Sequence, residues 1–191
     1  MIALDLDNTI ICYDEAFRTA ASLLDCLPAF GDPINKSTIK AAALAKGGND
    51  LWTRLQGLVY GEQIGMATLY PGCADFFAAS REDIVILSHK TQFPVLGSRS
   101  DLRKAATGWI ESTPLANLPL HFFDTREAKV AAIAALTPRA IIDDLPEVYL
   151  TPGFPSSSTF FLFDPVQAHA DWSLTPRVIS WSDAGYNILT S

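Results

Sequence analysis

The sequence predicts an α/β protein with a three-layer core, in which a parallel sheet lies between two layers of helices, and an all-helical insertion. Two observations support this prediction. From residue 71 onward, short and continuously apolar strands alternate with helical segments, which is typical of parallel sheets buried on both faces. A further apolar strand stands at the N-terminus, and a stretch of about 55 residues with only helical patterns separates it from the rest. The length of 191 residues suffices for one buried core with an insertion.

The first strand and the helical insertion come first along the chain. The first strand is predicted over residues 1–6, which are apolar as far as Leu4, and acidic residues follow at Asp5 and Asp7. In the following segment Phe17, Ala20 and Leu24 recur at helical spacing. Ser37 is a plausible N-cap, and Gly47 stands where a left-handed C-terminal residue is expected. The predicted helices span residues 14–27, 37–46, 49–60 and 64–69.

The second part of the chain alternates helices and strands. Helices are predicted over 74–80, 100–111 and 126–136, and strands over 84–87, 120–123, 140–142, 159–163 and 178–181. We therefore assign residues 1–13 and 71–191 to the core and residues 14–70 to the helical insertion. Sheets of this type bind ligands beyond the carboxyl ends of their strands.

Composition and charge exclude several classes of protein. A hydrophobic content of 49% with 18% charged residues argues against disorder. The net charge of −7 argues against binding to a nucleic-acid backbone, which needs clustered Lys and Arg. The three cysteines form neither a disulfide scaffold nor a zinc motif. With no signal-peptide pattern and no membrane-spanning run, we expect a soluble cytoplasmic protein.

Polar residues lie at the ends of three of the predicted strands, and a lysine lies in the helix that precedes the third of them. They are Asp5 and Asp7 after the first strand, Ser88 followed by His89 and Lys90 after the strand 84–87, Lys129 in the helix 126–136, and Asp143 and Asp144 after the strand 140–142. Parallel strands bring such residues to one edge of the sheet. Taken singly, each has a structural interpretation: a turn for the acidic pairs, a helix N-cap for Ser88, a solvated helix residue for Lys129.

Together these residue types suit phosphoryl transfer. Asp5 can attack phosphorus and carry it covalently, and Asp7 can protonate the leaving oxygen and later deprotonate water. A Mg²⁺ ion with hard oxygen ligands, among them Asp143 or Asp144, would offset the repulsion between anionic nucleophile and anionic substrate. Ser88 and Lys129, with their hydroxyl and ammonium, would hold the phosphoryl oxygens.

The Asp5-Leu6-Asp7-Asn8-Thr9 run resembles the first motif of the haloacid dehalogenase superfamily of phosphatases and phosphotransferases. Ser88, Lys129 and the Asp143-Asp144 pair resemble its other three motifs, so the resemblance covers nearly the whole chain. It implies a Rossmann-like core, with the helical insertion as a cap that begins after the first motif.

The resemblance also implies roles for individual residues. Asp5 is the nucleophile and Asp7 the general acid and base, whose backbone carbonyl also binds Mg²⁺. Asn8, Thr9, Ser88 and Lys129 form the phosphate site, and Asp144 with Asp143 completes the metal site. Arg126 is the alternative to Lys129.

Other charged residues are candidates for substrate contacts. His89 and Lys90 could meet a second anionic group, with a solvated loop as the alternative interpretation. Arg18 and Arg54 are the candidates within the cap.

The sequence therefore predicts a Mg²⁺-dependent phosphatase acting on a small phosphorylated metabolite through an aspartyl-phosphate. A phosphotransferase or phosphomutase uses the same core residues and stays open as an alternative, as does a catalytically silent binding or regulatory module. A receiver-type signalling domain is excluded by motif order, because there the acidic pair comes first and the lysine last. No pattern defines the oligomeric state.

Overall fold

A computed structural model of the chain describes residues 1–97 and 99–189. Its strands are β1 (Ile2–Leu4), β2 (Ile11–Cys12), β3 (Thr68–Leu69), β4 (Ile84–His89), β5 (Leu120–Phe123), β6 (Ala140–Asp143), β7 (Thr159–Phe163) and β8 (Arg177–Val178). Its helices are α1 (Asp14–Leu23), α2 (Lys36–Tyr60), α3 (Cys73–Ala79), α4 (Leu102–Glu111), α5 (Arg126–Leu136), α6 (Pro146–Leu150) and α7 (Trp181–Leu189), with a 3₁₀ turn at Ile64–Met66. None of the helices in these two ranges combines the length and the apolar character that a bilayer span requires.

The main sheet has six strands in the order β5-β4-β1-β6-β7-β8, and every neighbouring pair is parallel. β1 lies in the interior of the sheet, where Ile2 is in register with Ile84 on one side and Ala140 on the other. The carboxyl ends of all six strands therefore meet at one edge. The predicted α/β, Rossmann-like parallel sheet is confirmed.

Helices cover both faces of this sheet, which explains its continuously apolar strands. On β7, Leu162 joins a buried cluster with Val130 of α5 and Val148 of α6. Its neighbour Phe163 contacts Trp181 of α7, with ring centroids 5.7 Å apart. Successive residues of a strand point to opposite faces, so the three predicted layers are present.

Contacts divide the chain into two compact units. The first comprises Met1–Ile11, Leu69–Lys90 and Pro114–Ser191, and the second comprises Cys12–Thr68 and Thr91–Thr113. The predicted domain boundaries, 1–13 with 71–191 against 14–70, stay a prediction, and segment 91–113 with α4 groups here with the helical unit.

Several predicted helix boundaries are corrected. α1 ends at Leu23 instead of residue 27, and Asp25 beyond it has a left-handed φ of 52°. Asn35, not Ser37, is the N-cap of α2, because its side-chain oxygen accepts hydrogen bonds from the backbone N–H groups of Ser37 and Thr38, both at 3.0 Å. The left-handed glycine between the two halves of α2 is Gly48, with φ 64°, rather than Gly47.

Other predicted elements differ in type. The segment 64–69 forms a 3₁₀ turn followed by β3 rather than a helix. The predicted strand 178–181 stops at Val178, and Trp181 begins α7. Ser180 accepts a hydrogen bond from the Asp183 N–H at 3.0 Å, which satisfies a free donor of the first turn. The elements β2 and α6 were not predicted.

Candidate active site

A tight turn after β1 presents Asp5 and Asp7. The N–H of Asp5 donates to the Ile142 carbonyl at 2.9 Å, so the ladder to β6 extends to this residue. The carbonyl of Leu6 then accepts from the N–H groups of both Ile10 and Ile11, each at 3.0 Å. These bonds fix the backbone on both sides of Asp7.

The turn itself requires an unusual backbone conformation. Asn8 has a φ of 62°, in the left-handed region that asparagine adopts more readily than most residues. Its N–H donates to the Ile11 carbonyl at 2.9 Å. The predicted donation from this N–H to a phosphate stays a prediction.

Lys129 lies between two buried carboxylates at the centre of the site. Its Nζ is 2.5 Å from Asp5 Oδ1 and 2.6 Å from Asp143 Oδ2. The Lys129 side chain is only 2% exposed, which excludes the solvated-helix interpretation. Thr125 caps α5 by accepting from the Ala128 N–H at 3.1 Å, so the helix start that carries Lys129 is firmly placed.

The ionisation of this cluster follows from its burial. Burial raises the pKa of Asp5 to about 7, because the opposing charge of Lys129 offsets only part of the desolvation and the Asp143 and Asp7 carboxylates raise it further. Burial alone would lower the pKa of Lys129, but Asp143 and Asp5 outweigh it and hold that pKa above its usual value. Lys129 is therefore held in its charged form, and Asp5 takes up a proton more readily than an exposed aspartate does.

Three carboxylates at this edge form a candidate cation site. Asp5, Asp143 and Asp144 each offer one oxygen, and these oxygens lie within 4.8 Å of one another. Hard oxygen ligands of this kind are what Mg²⁺ binds in proteins. Asp143 is also fixed by its Oδ1, which accepts from the Leu145 N–H at 2.9 Å. The carbonyl ligand predicted from Asp7 stays a prediction.

Two buried hydroxyls at the same edge lack hydrogen-bond partners within the ranges that the structure describes. They are Oγ of Ser88 and Oγ1 of Thr9, and both residues have 0% exposure. Ser88 lies inside β4, so it is not a helix N-cap. A buried hydroxyl without a partner is costly, and a bound oxygen that accepts from it would remove that cost.

The two residues after Ser88 differ in their surroundings. His89 is exposed, and its Nε2 lies 3.2 Å from the Asp124 carbonyl oxygen. Lys90 is buried, and its Nζ lies 2.7 Å from Asp7 Oδ2. The solvated-loop interpretation therefore does not hold for Lys90. Arg126, the alternative phosphate ligand, has a buried Nε for which the described part of the chain provides no hydrogen-bond acceptor.

The predicted cap contacts lie in the second unit. Arg18 on α1 is exposed and pairs with Glu15, with Nε 3.3 Å from Oε2. Arg54 on α2 is also exposed. Their contacts with substrate stay predictions, whereas the predicted residues of the catalytic edge all belong to the first unit.

One supporting residue was missed by the sequence interpretation. The indole Nε1 of Trp181 donates to the carbonyl oxygen of Thr9 at 3.0 Å, and Trp181 is 1% exposed. The start of α7 thus holds the turn that carries Asp5 and Asp7. The Ser180-x-x-Asp183 spacing, typical of a capped helix start, is the signal that could have located this helix.

Comparison with solved structures finds hydrolases of the haloacid dehalogenase superfamily. A candidate phosphoglycolate phosphatase from Lactobacillus plantarum has a TM-score of 0.61 at 14% identity, over 99% of this chain and 97% of the other. A magnesium-bound candidate hydrolase from Bacillus subtilis has a TM-score of 0.61 at 12% identity, over 100% and 98%. A hydrolase from Deinococcus radiodurans with bound phosphate and sodium has a TM-score of 0.53 at 14% identity, over 94% and 90%.

The sequence comparisons add no closer relative. No protein-family model matches the chain, and no curated protein matches it. Similarity at these low identities establishes the fold. The chain has the haloacid dehalogenase fold that its motifs resemble.

Proposed function

We propose that the protein is a Mg²⁺-dependent hydrolase of a small phosphomonoester in the cytoplasm and works through an aspartyl-phosphate at Asp5. The observation that carries the proposal is the convergence of three groups at one sheet edge. A carboxylate triad lies there beside the buried ammonium of Lys129 and the buried, unpartnered hydroxyl of Ser88. The triad suits a cation, and the hydroxyl suits an oxyanion. The bound phosphate and magnesium of structural neighbours are consistent with both.

In the first step, a carboxylate oxygen of Asp5 forms a bond to phosphorus as the bond to the ester oxygen breaks. The leaving oxygen takes a proton from Asp7 and departs as an alcohol. Ser88 donates to a phosphoryl oxygen, and Lys129 contributes positive charge beside Asp5 as negative charge shifts toward the leaving group.

In the second step, water attacks the phosphorus of the aspartyl-phosphate. Asp7, now ionised, accepts the proton of that water, and the bond between phosphorus and the Asp5 oxygen breaks. The products are inorganic phosphate and the regenerated carboxylate, with Asp7 protonated for the next cycle.

The Mg²⁺ ion would be held by the carboxylates of Asp5, Asp143 and Asp144. We propose the backbone carbonyl of Asp7 as a further ligand. When bound, the ion neutralises the carboxylates and the phosphoryl oxygens and so lowers the repulsion between them. The helical segment 14–70 is proposed as the cap that selects the substrate.

The test measures phosphate release from a panel of sugar phosphates, nucleotides, phosphorylated acids and p-nitrophenyl phosphate, with Mg²⁺ and with EDTA. We expect Mg²⁺-dependent release that falls by about 10³-fold or more in Asp5→Asn. Asp75→Asn, which removes an exposed carboxylate of α3, is the matched control and should keep full activity. Release that survives Asp5→Asn would exclude the mechanism. Transfer of phosphate to a second hydroxyl compound instead of water would favour the phosphotransferase.

A further inference from the structure

Lys90 is a buried lysine that the proposed reaction does not use. Its side chain is 3% exposed, and lysines are almost never this buried unless they are paired. Its backbone N–H donates to the Phe123 carbonyl at 3.1 Å, so the pairing of β4 with β5 extends to this residue. The position of Lys90 is therefore set by the sheet, unlike that of a residue in a mobile loop.

The ammonium of Lys90 meets the proposed general acid and base. Its Nζ lies 2.7 Å from Asp7 Oδ2, and the Asp7 side chain is 17% exposed. A charge-assisted hydrogen bond at this distance restricts the rotamer of the carboxylate. Asp7 also lies close enough to Asp5 for its charge to raise the pKa of Asp5. Lys90 thus acts on the reacting carboxylate through Asp7.

Lys90 also brings positive charge to an edge that is rich in carboxylates. It faces Asp7, whose charge reaches Asp5, and Asp5 belongs to the triad that offers oxygens to a cation. Removing the Lys90 ammonium therefore makes this edge more negative and strengthens its attraction for a divalent cation.

We propose that Lys90 is a positioning residue that holds the Asp7 carboxylate in place and reduces the negative charge at the cation site. The proposal rests on the proposed function for the role of Asp7. It replaces the expectation that Lys90 contacts a second anionic group of the substrate.

The first test measures Mg²⁺ affinity of the metal-free protein by titration calorimetry. Lys90→Met should bind Mg²⁺ more tightly, on the order of tenfold, because a cation near the site is removed. Lys90→Arg keeps the charge and should match the wild type, as should Lys104→Met, which removes an exposed lysine of α4. Structural damage would weaken Mg²⁺ binding, so an unchanged or weaker affinity in a folded Lys90→Met protein overturns the proposal.

The second test is a double-mutant cycle in turnover of p-nitrophenyl phosphate with saturating Mg²⁺. Lys90→Met should lower kcat by about tenfold or more and change KM by less than about twofold, because it acts through Asp7. In an Asp7→Asn background the same substitution should leave the residual kcat unchanged. A rise in KM in both backgrounds would show that Lys90 binds substrate and would overturn the proposal.

The two tests separate this proposal from the proposed function. If the wild type hydrolyses no phosphomonoester but Lys90→Met tightens Mg²⁺ binding, the hydrolase is refuted and the effect of Lys90 on the charge of the cation site is supported. If turnover depends on Asp5 but Lys90→Met changes neither Mg²⁺ affinity nor kcat, the role of Lys90 is refuted and the hydrolase stands.

Discussion

Replacing Lys129 by methionine removes the ammonium between Asp5 and Asp143 and keeps most of the volume of the side chain. Both carboxylates then remain inside the protein without the cation that neutralises them. The Lys129 and Asp143 side chains are 2% and 0% exposed, and that of Asp5 is 9% exposed. Breaking a buried ion pair by removing one partner typically costs about 3–5 kcal/mol. We expect a loss in this range in the free energy of unfolding at pH 8 without Mg²⁺.

The loss should depend on pH in a defined direction. The pKa of Asp5 is already raised from 3.8 to about 7 in the folded protein, and removing Lys129 raises it further. A carboxyl group whose folded pKa exceeds its unfolded pKa binds a proton on folding, so stability falls as the pH rises from the unfolded toward the folded pKa. The loss in Lys129→Met should therefore be smaller at pH 5 than at pH 8.

Urea unfolding followed by tryptophan fluorescence measures this difference at both pH values in EDTA. Lys104→Met, which removes an exposed lysine, should change stability by less than about 0.5 kcal/mol. Added Mg²⁺ should recover part of the loss, since it binds the folded state. A loss below about 1 kcal/mol at pH 8, or a larger loss at pH 5, would refute the reasoning.

Three further predictions follow from the same site. The affinity for Mg²⁺, measured by calorimetry, should rise by up to about tenfold per pH unit between about pH 5 and 7 and level off above pH 7. The reason is that the Asp5 carboxyl must lose its proton before it can bind the ion. An affinity that does not change with pH would contradict the raised pKa of Asp5. Ser88→Ala should change the free energy of unfolding by less than about 1 kcal/mol, because its hydroxyl has no partner among the described residues. The same substitution should lower kcat/KM by about 10²-fold. A loss of stability well above about 1 kcal/mol alongside the loss of kcat/KM would indicate a structural role. Trp181→Phe should cost about 1–3 kcal/mol in urea unfolding and lower kcat, because the Thr9 carbonyl loses its indole donor. The control is Trp109→Phe, which removes an indole hydrogen bond to a carbonyl of the second unit and should lower stability without lowering kcat. Equal losses of kcat in Trp181→Phe and Trp109→Phe would argue that Trp181 does not position the turn after β1.

The parallel sheet and the polar residues at its carboxyl edge could be predicted because they depend on local patterns. Apolar strands such as 84–87 and 140–142, each between helices, require burial on both faces, and polar residues directly after them must stand at the carboxyl edge. Asp5, Ser88 and Asp143 were placed correctly at that edge for this reason. α7 was missed because the mainly apolar run Val178–Trp181 was interpreted as a strand, although Ser180 caps a helix that begins at Trp181, whose ring packs against Phe163.

The sequence by itself determined the residue types of the site and their order, because strand ends and motifs are local features of the chain. Only the tertiary structure decided that Lys129 is buried between Asp5 and Asp143, and that Lys90 pairs with Asp7 rather than facing solvent. A lysine on a helix or after a strand has the same local signature whether it is solvated or buried. Its environment depends on which strands lie side by side, and the order β5-β4-β1-β6 is set by long-range packing that no single segment encodes.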